Sequence, residues 1–304
     1  MSGSKKVVIA ALIGNALIAV TKFFAAALTG SAAMMSEGIH SLVDTGNEVL
    51  LLHGMKKARQ PADERFPFGH GKEIYFWSFA VAILIFALGA GISLYEGFLH
   101  IRHPEAIENP IINYVVLGLA FLFEGAAWLV ALKEFRRAKG DWGYIEAVAR
   151  GKDPTTFVVL FEDSAALLGL MVAFLGVILS QTTGLLWFDG LASMLIGVIL
   201  ALTAVWLARE TKGLLIGESA NARVVADIRR AALSMPSIEA VNEVLTMHMG
   251  PDFILVNISV KFSPRLGAAR LETVIAELDR SLKQQHPRIK RVFVEAEAPP
   301  LEAA

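Results

Sequence analysis

Six largely apolar runs occupy the first two thirds of the chain, at about 7–29, 33–55, 74–100, 111–133, 155–180 and 186–208. A helix needs roughly 20 such residues to cross a bilayer, so each run predicts a membrane span. After Arg209 the apolar runs end and amphipathic patterns begin. NARVVADIRRAALSM places apolar residues at helical spacing, with Pro236 just past its end. EAVNEVLTMHM and FILVNISVKF alternate as strands do, separated by the turn signal Gly250-Pro251-Asp252. GAARLETVIAELDRSLKQQH is a second amphipathic helix that stops near Pro287, and RVFVEAE alternates as a third strand. The pattern predicts a membrane all-α bundle of six transmembrane helices at 1–208. A small cytoplasmic α+β domain of order α-β-β-α-β is expected at 209–304. The tail from Ala298 is expected to be loose. Lys5 and Lys6 precede an apolar run too long for a signal-peptide core, and no small-residue cleavage site follows it.

Composition agrees with this and narrows the chemistry. The chain is 55% hydrophobic and 19% charged, more apolar than soluble domains usually are. Its 28 basic and 29 acidic residues nearly cancel, leaving a net charge of −1. That balance gives no global basic field for nucleic acid. There is no cysteine, so disulfides, thiolate zinc sites, Fe–S clusters and cysteine nucleophiles are excluded. Basic residues collect on one side of the spans, among them Lys5, Lys6, Lys56, Lys57, Arg136, Arg137, Arg150, Lys152 and Arg209. The opposite loops, near 30–32, 101–110 and 181–185, carry only Arg102. The asymmetry predicts that both termini are cytoplasmic, with the cell (inner) membrane as the default location.

Ionisable residues inside spans are costly and usually face a bundle interior or a watery cavity. In the second run, Glu37, His40, Ser41, Asp44, Asn47 and Glu48 recur every three or four residues and form one polar stripe. His40 and Asp44, four apart, project together. An imidazole nitrogen and a carboxylate oxygen there can share one divalent ion, or they can simply satisfy one another. Glu162 and Asp163 are adjacent in the fifth run and point about 100° apart, so one can complete that site while the other pairs elsewhere. Glu124 lies deep in the fourth run, as a pathway residue or a protonated structural acid. Asp189 reads as the cap of its own helix at FDGLAS. Lys22 is placed to snorkel or to pair with a membrane acid. Asn15 reads as an interhelical hydrogen-bonding group.

Taken together, these motifs resemble the cation diffusion facilitator, or zinc transporter, family. GSAAMMSEGIHSLVDTGNEVLLL is similar to the family's second span and QPADERFPFGHGKEIYFWS to its second loop. FEDSAALLGL is similar to the fifth span of the branch carrying Glu-Asp there. The resemblance implies a transport site of His40, Asp44 and Asp163. The family's usual fourth ligand falls on Val159, which leaves Glu162, water or Glu124 for that role. It implies a second site at Asp63 and His70, although the intermediate family histidine is Phe66 here. It also implies that Lys72 pairs with an acid after the sixth span, for which Glu218 is the nearest candidate. The cytoplasmic domain is expected to be metallochaperone-like. His248, Glu295 and Glu297 are its candidate metal ligands, with an exposed acidic strand edge as the alternative. The family further implies a homodimer, with Gly89, Gly91 and Gly97 allowing close helix approach or serving packing within one subunit.

The functional expectation is a divalent cation efflux transporter embedded in a lipid bilayer. Zinc is the preferred ion by resemblance, exchanged for protons. The donor set also suits Mn²⁺, Fe²⁺, Co²⁺ and Ni²⁺, and no organic cofactor is expected. Metal binding needs deprotonated carboxylates and neutral imidazole, which couples it to protons. An intramembrane metalloenzyme is disfavoured because HExxH is absent and His40 is the only histidine within the site-bearing part of the second run. A non-transporting metal sensor or scaffold is the alternative that Val159 and Phe66 allow.

Overall fold

A computed structural model describes residues 2–104, 110–139, 143 and 154–297. Arg150, Lys152 and the tail from Ala298 lie outside the described residues. The chain divides into two compact units, one made of 1–57 with 73–212 and the other of 58–72 with 213–304.

The first unit is helical. Its helices are α1 (Ser2–Thr29), α2 (Ala32–Lys57), α3 (Glu73–Leu84), α4 (Gly91–Arg102), α5 (Pro110–Lys139), α6 (Pro154–Thr183) and α7 (Trp187–Ile216). A π-helical segment, Ile85–Ala90, joins α3 to α4, so the third apolar run is a single rod of 30 residues with a widened turn at its middle. Such widened turns alter the register of side chains along a rod. Among the described residues, five helices are long and apolar enough to cross a membrane: α1, the α3–α4 rod, α5, α6 and α7. The helix α2 is 26 residues long, but its acids lower its apolar character.

The helices α5 and α7 run past the expected ends, to Lys139 and Ile216. Hydropathy falls at Arg209, but ARETKGLL contains no glycine or proline able to end the helix before Gly213. Gly217, in a left-handed conformation with φ 127, stops α7 with its amide on the Gly213 carbonyl. Gly30 ends α1 in the same way, and Ser31 then caps α2 through a bond from the Met34 amide to its hydroxyl.

This unit is apolar outside and polar within. Leu17, Val20 and Phe24 are exposed along one side of α1, while Lys22, Glu37, His40, Asp44 and Glu124 are buried. That is the arrangement expected when lipid is the solvent. Of the glycines in the α3–α4 rod, Gly89 and Gly97 pack against α7, whereas Gly91 is exposed and meets only its own rod. A Cβ on Gly97 would lie 2.6 Å from the Met194 amide of α7, and one on Gly89 would meet Leu200 at 3.4 Å.

The second unit carries α8 (Ala222–Leu233), β1 (Ile238–Gly250), β2 (Phe253–Phe262), α9 (Ala268–Gln285) and β3 (Ile289–Ala296). The sheet order is β1-β2-β3, with β1 antiparallel and β3 parallel to β2. Alternate residues of β2, from Ile254 to Val260, face Ile228 and Ala232 of α8 and Val274, Leu278 and Leu282 of α9. Asn221 caps α8 by accepting the Arg223 amide.

The segment 58–72 packs on this sheet. A Cβ on Gly71 would lie 2.3 Å from the Met249 carbonyl oxygen, so backbone meets backbone there. Phe68 meets Phe293 edge to face at 6.5 Å.

Candidate functional site

The polar stripe of α2 faces inward, and its neighbours are α1, α5 and α6. Glu37, His40, Ser41, Asp44, Asn47 and Glu48 are all buried. The stripe results from the helical period alone, since spacings of three and four return to one face.

At its centre, His40 Nδ1 lies 3.3 Å from Asp44 Oδ1. The angles there are not those of a hydrogen bond, because both ring nitrogens and Asp44 Oδ1 are buried without a hydrogen-bond partner. Orphaned buried acceptors are rare in finished cores, which makes this pair the clearest place for an ion. The helix α6 brings Glu162 within electrostatic reach of Asp44. Asn47 donates to Glu162 at 2.6 Å, which fixes that carboxyl group. Asp163, beside it, has a buried Oδ2 without a partner and lies within electrostatic reach of Glu162, Glu124 and Glu48. Val159 is buried among apolar side chains and offers no donor atom. Among the described residues, no three His, Asp or Glu groups already converge in the geometry of a bound metal. Of the residues that sequence left open for the fourth position, Glu162 is the one on α6, within electrostatic reach of Asp44.

A second polar cluster adjoins the first. Lys22 of α1 is fully buried and donates to Glu37 Oε2 at 3.0 Å, Ser41 Oγ at 2.9 Å and Glu124 Oε1 at 2.8 Å. Lys22 therefore pairs with two membrane acids instead of snorkelling. Asn15 donates to Glu48 at 3.1 Å and so links α1 to α2.

Asp189 serves a helix other than its own. Its carboxylate accepts Ser31 Oγ at 2.8 Å and the Ala33 amide at 3.3 Å, so it caps the N-terminus of α2. Local spacing could not reveal this, because the capped amide is 156 residues away.

In the segment 58–72, His70 Nε2 and Asp63 Oδ2 are 2.9 Å apart. The Phe66 amide donates to Asp63 Oδ1 at 2.7 Å, and the Phe66 ring lies 4.6 Å from the His70 ring. The bond from His70, then that from Phe66, holds the exposed Asp63 carboxyl below its ordinary value. The phenyl ring thus fills the place of the expected third ligand, and the pair orders a turn. Lys72 Nζ lies 3.6 Å from Met247 Sδ, and the Glu218 carbonyl accepts the amide of His248, the next residue along β1.

The three candidates on the sheet are not brought together. His248 is buried and pairs in register with Ile254, whereas Glu295 pairs with Ser259, five residues along β2. Glu295 accepts Asn257 at 2.8 Å and Glu297 accepts Ser259 Oγ at 2.6 Å. Both acids belong to a cross-strand polar ladder.

The family model for the cation efflux transmembrane domain matches residues 8–216. The chain is 35% identical over 269 residues to the proton-coupled zinc antiporter SLC30A9, mitochondrial, of Mus musculus, covering 88% of this chain and 47% of that protein. It is 32% identical over 335 residues to the Xenopus laevis protein of the same name, covering 97% and 60%. It is 28% identical over 265 residues to metal tolerance protein C4 of Arabidopsis thaliana, covering 86% and 58%. The chain thus spans about half the length of the curated relatives it matches.

Proposed function

Because the chain belongs to the cation efflux, or cation diffusion facilitator, family, we propose that it exchanges a divalent cation, zinc by preference, for protons across a lipid bilayer. The observation that carries this reading is the buried His40–Asp44 pair, whose two ring nitrogens and Asp44 Oδ1 lack hydrogen-bond partners, with Glu162 of α6 within electrostatic reach of Asp44. The relatives named as proton-coupled zinc antiporters support zinc. The one-histidine, carboxylate-rich donor set also accommodates Mn²⁺, Fe²⁺, Co²⁺ and Ni²⁺.

His40, Asp44, Glu162 and Asp163 are the proposed ligands. Glu162 takes the place that Val159 leaves open, and an arriving ion draws the two helices' carboxylates onto one centre. Ligation needs these carboxyl groups deprotonated, so an arriving ion displaces any proton that Asp44 or Glu162 holds. Two of the three carboxylates, when ionised, already neutralise a divalent ion's charge, which lets it reside where water is scarce.

In this reading α2 is a sixth span. Its 26 residues reach about 39 Å at 1.5 Å per residue, and its acids face protein instead of lipid. Six spans with Lys and Arg concentrated on one side put both termini on the cytoplasmic face. The unit at 213–304 is then a cytoplasmic domain, and a homodimer is the proposed assembly. The family's members are transporters, and no hydrolytic motif competes with that reading here.

The test is zinc flux in proteoliposomes. Asp44→Ala and Asp163→Ala should each lower it at least about 100-fold, the loss expected when one of a few ligands is removed. Both should leave the detergent-solubilised protein folded. Normal flux in both variants overturns the assignment. A wild type with no flux of any divalent ion favours the sensor or scaffold reading.

A further inference from the structure

The buried Lys22 cluster is left unused by the transport reading, yet it has the form of an occupied cation site. Three oxygens from two helices surround one ammonium at 2.8–3.0 Å: Glu37 Oε2 and Ser41 Oγ of α2, and Glu124 Oε1 of α5. Nothing in this pocket is solvent-exposed beyond a few per cent. Each carboxylate also keeps one buried oxygen with no hydrogen-bond partner, Glu37 Oε1 and Glu124 Oε2. The pocket therefore has more acceptor capacity than an ammonium uses. Two carboxylates and a hydroxyl are the donors that hard and borderline divalent ions take.

Position gives the pocket its meaning. Glu37 precedes His40 by three residues and Ser41 precedes Asp44 by three, each a rise of about 4.5 Å along α2. The cluster lies toward the α2 N-terminus, so an ion leaving His40 and Asp44 on that side meets it next. The helix α6 closes on the same spot. A Cβ on Gly169 would fall 2.3 Å from Glu37 Oε1, so a side chain there would press on the free oxygen that α6 now closely approaches. One ammonium matches one carboxylate charge, whereas a divalent ion matches two.

We propose that Lys22 is a tethered cation that occupies a divalent-ion site formed by Glu37, Ser41 and Glu124 on the transport pathway, and so keeps the transported ion from being trapped there. The proposal rests on the transport reading for the identity of the ion. A lysine on a neighbouring helix cannot diffuse away, so it competes at a very high local concentration with an ion in transit. Filling the pocket permanently keeps affinity concentrated at His40 and Asp44, where release is coupled to protons.

The experiment is zinc stoichiometry by equilibrium dialysis and metal analysis on the purified full-length protein. Wild type gives the reference count. Lys22→Met should bind one additional zinc per chain and transport it more slowly. Lys22→Arg should keep the reference count, because the guanidinium retains the charge. Adding Glu37→Gln and Glu124→Gln to Lys22→Met should return the count to the reference. Adding His40→Ala to Lys22→Met should leave the additional zinc in place, since that ion sits elsewhere. A folded Lys22→Met protein with an unchanged count overturns the proposal. If that variant does not fold, Lys22→Met with Glu124→Gln removes one charge of each sign. It should still gain the zinc, at higher concentration, and a folded double variant without it overturns the proposal equally. A wild type that binds no zinc at all counts against the transport reading. Zinc in wild type with no gain in Lys22→Met counts against this inference alone.

Discussion

Asp189 shows how far a single side chain can act from its own position in the chain. It stands in the first turn of α7, yet its two oxygens serve Ser31 and Ala33 at the start of α2. The first amides of a helix have no internal partner, and a carboxylate beside them also meets the positive end of the helix dipole. Asp189→Ala should destabilise the solubilised protein by about 1–2 kcal/mol. Asp189→Asn, which keeps one acceptor oxygen, should lose roughly half of that. Thermal unfolding in detergent measures both, and equal stability of wild type and Asp189→Ala would sink the assignment. The same limit governed the stripe on α2. That Glu37, His40, Ser41, Asp44, Asn47 and Glu48 share a face was legible, because the period of one helix determines it. That Lys22 goes to Glu37 and Glu124 was not, because three separate helices must first pack.

Helices and strands were the most legible scale. Each has a local signature: an apolar run for the spans, a 3.6-residue period for α8 and α9, and alternation for the strands. What had no signature was the docking of 58–72 on the sheet. It depends on the backbone at Gly71 meeting the backbone at Met249, and no propensity encodes a meeting of two distant segments. Gly71→Val should unseat this segment and leave the strands intact. Trypsin, which cleaves after the exposed Arg59 and Arg65, should then cut it about tenfold faster, as a loss of 1.4 kcal/mol implies. An unchanged cleavage rate would show that the contact carries no energy. The turn inside the segment answers to pH. Bonds from His70 and Phe66 hold Asp63 below its ordinary value of 3.8. A lowered carboxyl stabilises the folded turn above that ordinary value, and the contribution is lost as pH falls through the lower folded value. Asp63→Ala should therefore speed amide exchange at Phe66 at neutral pH. The difference from wild type should fade as the solution is acidified below 3.8. A difference that persists in acid would show that the ionised carboxylate is not what holds the turn.

At the scale of the whole molecule, a net charge of −1 conceals a segregation. Most bases of the first unit flank the helices, while Glu37, Asp44, Glu48, Glu124, Glu162 and Asp163 are buried among them. Among the described residues, Lys22 is the one lysine or arginine that is buried. Acids so concentrated out of water cannot all remain ionised without cations, since like charges and desolvation both oppose it. Under the proposed transport reading, protons and a divalent ion are alternative counterions for one set of carboxylates, and their exchange would make the transport an antiport. The sign is fixed: zinc affinity should fall as pH falls, about tenfold per pH unit for each proton released. Calorimetry of zinc binding in buffers of different ionisation enthalpy counts those protons, and the count should be at least about one. In proteoliposomes, an acidic lumen should drive zinc inward against its own gradient, and an uncoupler should abolish that accumulation. Zinc flux indifferent to the imposed pH difference, with no proton released on binding, would leave a metal channel and not an antiporter.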